Sequence, residues 1–238
     1  MTALASPRSR RLLASAADAV AGYFLEPASA PPLLATDGAE PLELRPVIAV
    51  FGLGPGCGAT VVARALAAEL ALRDPAGTAA VCCDARPGGI PLATHAAASL
   101  ARALADVPGA APRAVGRLCL VGGADPERLA DTARHHAPLV MDAGSDALGG
   151  APAALADRTV IVTAPALEPS LAKVGAECVA RVGAPPLVVL NRAPHHQPGM
   201  LALPSSSLGA RLALGGREAR GELGRAIAEL ADLLDEPP

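Results

Sequence analysis

Tryptophan is missing from this sequence, and one tyrosine and two phenylalanines are the only aromatic side chains among its 238 residues. Stacking platforms for single-stranded nucleic acid are therefore excluded, because they need several aromatic faces along the strand path. Lysine is nearly absent too: Lys173 stands alone, and the rest of the 20 basic side chains are arginine. A mechanism that needs two lysines from one chain is ruled out. An excess of one sign of charge is also lacking, since 23 acidic side chains against 20 basic ones leave a formal net charge of −3. No bulk attraction to nucleic acid follows. No apolar run reaches the ~20 residues that a membrane span requires. Cys57, Cys82, Cys83, Cys119 and Cys178 form no CxxC pair and are odd in number. Cys82, Cys83 and Cys119 lie in apolar runs and read as small buried thiols, which fits a reducing, cytoplasmic setting. The opening arginines precede an Ala/Leu stretch that Asp18 interrupts, a poor secretory signal.

What is abundant is aliphatic: 51% of residues are hydrophobic, so the core is built from Ala, Val, Leu and Ile, which suits helices packed closely on a sheet. The length matches one large α/β domain. Residues 8–24 read as a helix, with Leu12, Leu13, Ala16, Val20, Tyr23 and Phe24 near helical spacing. A Pro/Ala-rich connector follows, which sets residues 1–45 apart from a domain at 46–238. In that domain, strand and helix signals alternate. VIAVFG (47–52), AAVCC (79–83), RLCLVGG (117–123), APLVMD (137–142), RTVIVTAP (158–165) and PPLVVLNR (185–192) read as strands, and RLAL (211–214) as a last short one. TVVARALAAELALRD (60–74), PERLADTARHH (126–136), EPSLAKVGAECVARV (168–182) and REARGELGRAIAELADLL (217–234) read as helices. The expected fold is α/β, a mostly parallel sheet of six to eight strands with helices on both faces. Ligands of such folds bind beyond the carboxyl ends of the strands. Five polar or glycine-rich clusters fall there: GLGPGCGAT, DARPGG, DAGSD, TAPALEPS and NRAPHH.

The segment Gly52-Leu53-Gly54-Pro55-Gly56-Cys57-Gly58-Ala59-Thr60 lies between the first strand and a long helix. Glycines let backbone N–H groups approach phosphate oxygens, and the helix adds a positive N-terminal dipole. Thr60, in the first turn, is placed to ligate magnesium. Two phosphate loops compete for this pattern. The dinucleotide form GxGxxG fits Gly52 and Gly54 but meets Cys57 at the third glycine, and Asp84 stands 32 positions after Gly52, against about 20 for the usual acidic partner. The mononucleotide form fits Gly58 and Thr60 but meets Ala59 where its lysine belongs. The long helix before the second strand favours the mononucleotide form.

Over residues 47–235 the chain resembles the ParA/MinD-like P-loop ATPases, whose loop reads K-G-G-x-G-K-[ST]. Gly56, Gly58 and Thr60 match that loop; Gly54 replaces the signature lysine, Pro55 a glycine and Ala59 the Walker lysine. An alanine in that lysine position is similar to an atypical branch that includes TadZ/CpaE-type pilus-localisation and septum-site proteins. The resemblance implies ATP or ADP with magnesium, contacted by Gly54, Pro55, Gly56, Cys57, Gly58, Ala59, Thr60 and Val61. Asp84 takes the place of the water-orienting acid, although Arg86 replaces the family's second acid. Arg86 is also the nearest candidate by sequence for a substitute phosphate cation. Asp142 matches the Walker B-type aspartate and joins Thr60 as the expected magnesium ligand. TAPALEPSLAKV is similar to the family's V-T-x-P-x-x-x-S-L segment. Asn191-Arg192 resembles its V-x-N-R, whose asparagine reads the adenine edge.

With both lysines gone, weak Mg-nucleotide binding and very slow or absent hydrolysis are expected, since positioning and charge stabilisation carry phosphoryl transfer. The family further implies a regulatory or positional role in septum, chromosome or pilus machinery, a protein partner, and a nucleotide-dependent face-to-face homodimer. Peripheral membrane contact, if any, falls to residues 8–24 with Arg8, Arg10 and Arg11. The competing functions are a non-binding scaffold on the same fold and a dinucleotide oxidoreductase. The latter is disfavoured because Tyr23 and Lys173 cannot form a local Tyr-x-x-x-Lys relay. The pairs His135-His136 and His195-His196 lack ligand spacing and read as surface histidines, and Ser205-Ser206-Ser207 reads as a solvated turn without a nucleophile elbow.

Overall fold

The computed structural model describes residues 44–83, 92–145, 148, 150–193 and 200–235; these fall within one compact unit, Leu42–Pro238. Two readings lie outside the described residues: the helix at 8–24 and the loop carrying Asp84 and Arg86. Pair His195-His196 does as well.

In chain order the elements are β1 (Val47–Gly52), α1 (Ala59–Arg73), β2 (Ala79–Cys82), α2 (His95–Leu104), β3 (Ala111–Val115) and β4 (Leu118–Gly122). They continue with α3 (Pro126–Arg134), β5 (Leu139–Gly144), α4 (Ala151–Leu155), β6 (Arg158–Thr163) and α5 (Pro169–Ala180). The last are β7 (Pro186–Asn191), β8 (Leu201–Leu203), α6 (Ser207–Leu214) and α7 (Gly221–Asp235). The strands form one eight-stranded sheet in the order β3-β4-β2-β5-β1-β6-β7-β8. All pairings are parallel except β3 with β4.

Strand β1 is buried along its whole length, which explains why its sequence is a continuous apolar run instead of an alternating one. Its residues part to the two faces at a period of two. Ile48 and Val50 join α1, α6 and α7 in one core layer. Val47, Ala49 and Phe51 join α2, α3, α4 and α5 in the other. The expected α/β architecture, a mostly parallel sheet sandwiched by helices, is what the chain adopts. Local sequence fixes several helix starts. Asp125 accepts from the N–H groups of Glu127 and Arg128 ahead of α3, and Pro126 sits where its missing N–H is not needed. At its far end α1 is tied to α7 by Arg73, which pairs with Asp232 at 2.7 Å and donates to Ala228 O.

The structure departs from the sequence reading at four local points. RLAL is helical: Ser206 caps α6, accepting from Gly209 N at 3.0 Å, and a four-residue apolar run does not by itself distinguish strand from helix. Ser206 is thus a helix cap where a plain turn was expected. β3, which contains Pro112 and exposes Ala111 and Arg113, was not anticipated, because a proline-bearing edge strand carries a faint signal. β8, three residues long, was also missed.

Candidate phosphate-binding site

The switch in sheet order puts β1 between β5 and β6, so the loop after β1 opens where the chain departs to opposite sides. This is where a crevice forms in open α/β sheets. Leu53 N–H bonds Val162 O at 3.0 Å, and Cys57 N–H closes a turn on Gly54 O at 3.3 Å. Gly56 and Gly58 have φ of 74° and 95°, in the region that side chains disfavour. Helix α1 then starts at Ala59 without a side-chain cap. Val62 N–H is the first to find a carbonyl, Gly58 O at 3.0 Å. Among the described residues, none accepts from the N–H groups of Ala59, Thr60 and Val61 at the positive end of the helix.

Across the loop stands Asp142 on β5, opposite Val50 and just before a register shift that aligns Phe51 with Gly144. Such a bulge re-aims side chains at a strand end. Burial pushes the Asp142 carboxyl up from its usual value, against the opposing effects of the Thr60 hydroxyl and Gly144 N–H that donate to it and of the Arg64 charge. Its Oδ1 is buried with no hydrogen-bond partner. Thr60 and Asp142, named separately from sequence, thus meet. Their hard oxygen set, with an unsatisfied buried carboxylate oxygen, fits a magnesium ion.

Asn191 and Arg192, at the end of β7, grip the outside of the same loop. Asn191 is 8% exposed; its Nδ2 donates to Cys57 O at 2.8 Å and its Oδ1 accepts from Arg192 N–H at 3.0 Å. Arg192 donates to Gly56 O through its guanidinium. Its φ of 58° is the only positive one of a non-glycine among the described residues, a strain that marks over-determined positions near functional sites. A side chain at Gly58 is disfavoured twice, by its positive φ and because a Cβ there would run into Asn191 Nδ2 and displace it. Pro55 and Gly56 are exposed and Cys57 is buried. A small cleft of about 80 Å³ beside the loop is lined by Pro165, Leu167, Leu190 and Met200, among others. The larger cavity, about 310 Å³ and lined by Arg45, Arg73 and Pro138 among others, lies at the opposite ends of β1 and β5. Its position sets it apart from the loop chemistry.

Sequence reading missed two things: the clasp made by Asn191 and Arg192, and Arg64, which is fully buried on α1. An arginine in the middle of the helix's apolar stretch, between Ala63 and Ala65, was the available signal for the second. Among described residues no group of three His, Cys, Asp or Glu is placed to hold a metal. His135 and His136 are both exposed.

No family model matches the sequence, and no curated protein does. Solved structures do. A ParA family ATPase from Chlorobium tepidum TLS superposes with a TM-score of 0.55 at 16% identity, over 79% of this chain and 98% of that one. The MinC:MinD cell division protein complex of Aquifex aeolicus gives 0.51 at 15% identity, over 81% and 98%. The fold is that of the ParA/MinD-like P-loop ATPases.

Proposed function

We propose that the chain binds Mg-ATP or Mg-ADP weakly, hydrolyses it very slowly or not at all, and serves a regulatory or positional task through a protein partner. The observation that carries this reading is the meeting of Thr60 and Asp142 beside the uncapped start of α1. In it, the N–H groups of Ala59, Thr60 and Val61 take phosphate oxygens, with Gly54, Pro55, Gly56, Cys57 and Gly58 shaping the loop around them. Thr60 and Asp142 hold the magnesium ion, whose chemistry there is to neutralise phosphate charge. Asp142 Oδ1 is then no longer an orphan. Asn191 and Arg192 act on the ligand through the loop they clasp. In the same reading Asp84 takes the water-orienting role if any hydrolysis occurs, and Arg86 the role of substitute phosphate cation. Slow turnover follows from Gly54 and Ala59, which leave the transferred group without the ammonium ions that stabilise its charge.

The MinC:MinD structure is a complex of two proteins, which supports a protein partner here, alongside a face-to-face homodimer across the loop. No helix among the described residues is long and apolar enough to cross a membrane. Isothermal titration with Mg-ATP tests the reading: binding by the wild type, weakened by Thr60→Ala and by Asp142→Ala, supports it. Binding that neither substitution alters contradicts it.

A second reading, a scaffold on the same fold that binds no nucleotide, draws on the clasp of Asn191 and Arg192, which holds the loop's shape by protein contacts alone. A melting temperature unmoved by any nucleotide favours it, because a ligand specific for the native state raises the midpoint.

A further inference from the structure

Two carbonyls of the phosphate loop are turned toward the end of β7 and held there. Gly56 O accepts from the Arg192 guanidinium, and Cys57 O accepts from Asn191 Nδ2 at 2.8 Å. In a helix each N–H bonds the carbonyl four residues before it. Gly56 O and Cys57 O are thus the partners that Thr60 N–H and Val61 N–H would take if α1 began a turn earlier. The side chains of β7 claim them instead. A peptide unit is planar, with its C=O and N–H facing opposite ways, so the bond from Asn191 to Cys57 O also turns Gly58 N–H away from β7. Among the described residues none accepts from that N–H.

Asn191 has little left to offer a ligand directly. Its Oδ1 accepts from Arg192 N–H at 3.0 Å, so both ends of its amide are bonded within the protein, and the residue is 8% exposed. The cleft of about 80 Å³ beside the loop gives a base few groups to bond, since Thr163 is the only polar residue among those that line it. Arg192 reaches the loop from left-handed backbone, with φ of 58°, a strain that persists only where the surroundings over-determine it.

We propose that Asn191 and Arg192 are positioning residues for the phosphate chain of the ligand, and that the site takes di- and triphosphates with little regard to the base. This rests on the nucleotide reading of the loop and deepens it by naming the part of the nucleotide that is recognised. By holding Gly56 O and Cys57 O, the two side chains keep the loop from satisfying its own N–H groups. Those of Gly58, Thr60 and Val61 are then set for an anion before one arrives, which lowers the ordering cost of binding. Neither side chain reads the base, in contrast to the adenine contact that the sequence resemblance implies for Asn191.

The test is calorimetry on the full chain in Mg²⁺ with ATP, GTP and inorganic tripolyphosphate as probes. The wild type is expected to bind ATP and GTP within about threefold of each other, and to bind tripolyphosphate as well. Asn191→Ala is expected to weaken all of these by a common factor of about tenfold, the scale of one lost hydrogen bond. Arg192→Ala is expected to act in the same way, and Arg192→Lys, which keeps a donor, to recover part of the loss. A loss confined to ATP in Asn191→Ala, or affinities that neither alanine changes, overturns the inference while the nucleotide reading stands. So does a wild type that binds ATP and refuses tripolyphosphate. Should Asn191→Ala fail to fold, Arg192→Ala decides, because that residue is exposed: a loss common to every probe supports the inference, and a loss for ATP alone, or none, overturns it. A wild type that binds none of the probes overturns both readings together.

Discussion

Gly58→Ala is the substitution whose cost the structure fixes most closely. Two separate penalties meet at this position. The first is conformational: φ is 95° and ψ is 20°, and a side chain in left-handed backbone costs about 1–2 kcal/mol. The second is steric and polar. The new Cβ collides with Asn191 Nδ2, so the amide must leave Cys57 O, to which it now donates at 2.8 Å. A carbonyl stripped of its partner in a buried setting costs about 1–3 kcal/mol. The sum is about 2–5 kcal/mol. Gly77→Ala isolates the first penalty, since Gly77 has φ of 66° and its Cβ would meet nothing within 4 Å. Urea denaturation gives both values, read as a fall in midpoint at constant slope. Gly58→Ala is expected to lose at least 1 kcal/mol more than Gly77→Ala, and adding Asn191→Ala to it should cost far less than Asn191→Ala alone. Equal losses for the two glycines, or strict additivity with Asn191→Ala, would refute the clasp of the loop by β7.

Other outcomes follow from the same geometry. Asp142 has a carboxyl raised by burial, so the folded state holds its proton more tightly than the unfolded one and stability falls as pH rises from the usual carboxylate range through the raised value. Asp142→Asn is therefore expected to be more stable than wild type at neutral pH, by a margin that shrinks on acidification; denaturation at several pH values measures it. Burial pushes the Cys119 thiol up to about 12, and its side chain is fully covered. Ellman's reagent is expected to leave Cys119 unmodified in the native protein up to pH 9 and to label it only after unfolding. Arg73→Ala removes the contacts of α1 with Asp232 and Ala228 O; as these are partly exposed, a loss of about 1 kcal/mol or less is expected in the same denaturation assay.

The sheet was largely legible because a strand buried on both faces leaves an unmistakable mark. VIAVFG runs from Val47 to Gly52 in the sequence reading and in the structure alike. Marginal elements were not legible. RLAL carries no period long enough to choose between strand and helix, and its helical state is set by the Ser206 cap and by packing on α1 and α7. β3 is defined by its antiparallel pairing with β4, a long-range event with little local trace. At the site, Thr60 and Asp142 could be named from their positions after buried strands, but that they share a hydrogen bond follows from the packing of α1 on β5. Asn191 was noticed for its place at a strand end. Its bond to Cys57 O, across 134 positions of chain, is a product of the fold. Arg64 stood in plain view in the sequence, between Ala63 and Ala65, but its complete burial is a product of the fold as well.

In the proposed function the loop, Thr60 and Asp142 form one magnesium-dependent phosphate site. ATP affinity of the wild type and of Asp142→Ala, each titrated with and without Mg²⁺, tests it most directly. Mg²⁺ is expected to tighten binding to the wild type and to have no effect on Asp142→Ala. Binding to the wild type that is indifferent to Mg²⁺, or a magnesium effect that survives in Asp142→Ala, would contradict it.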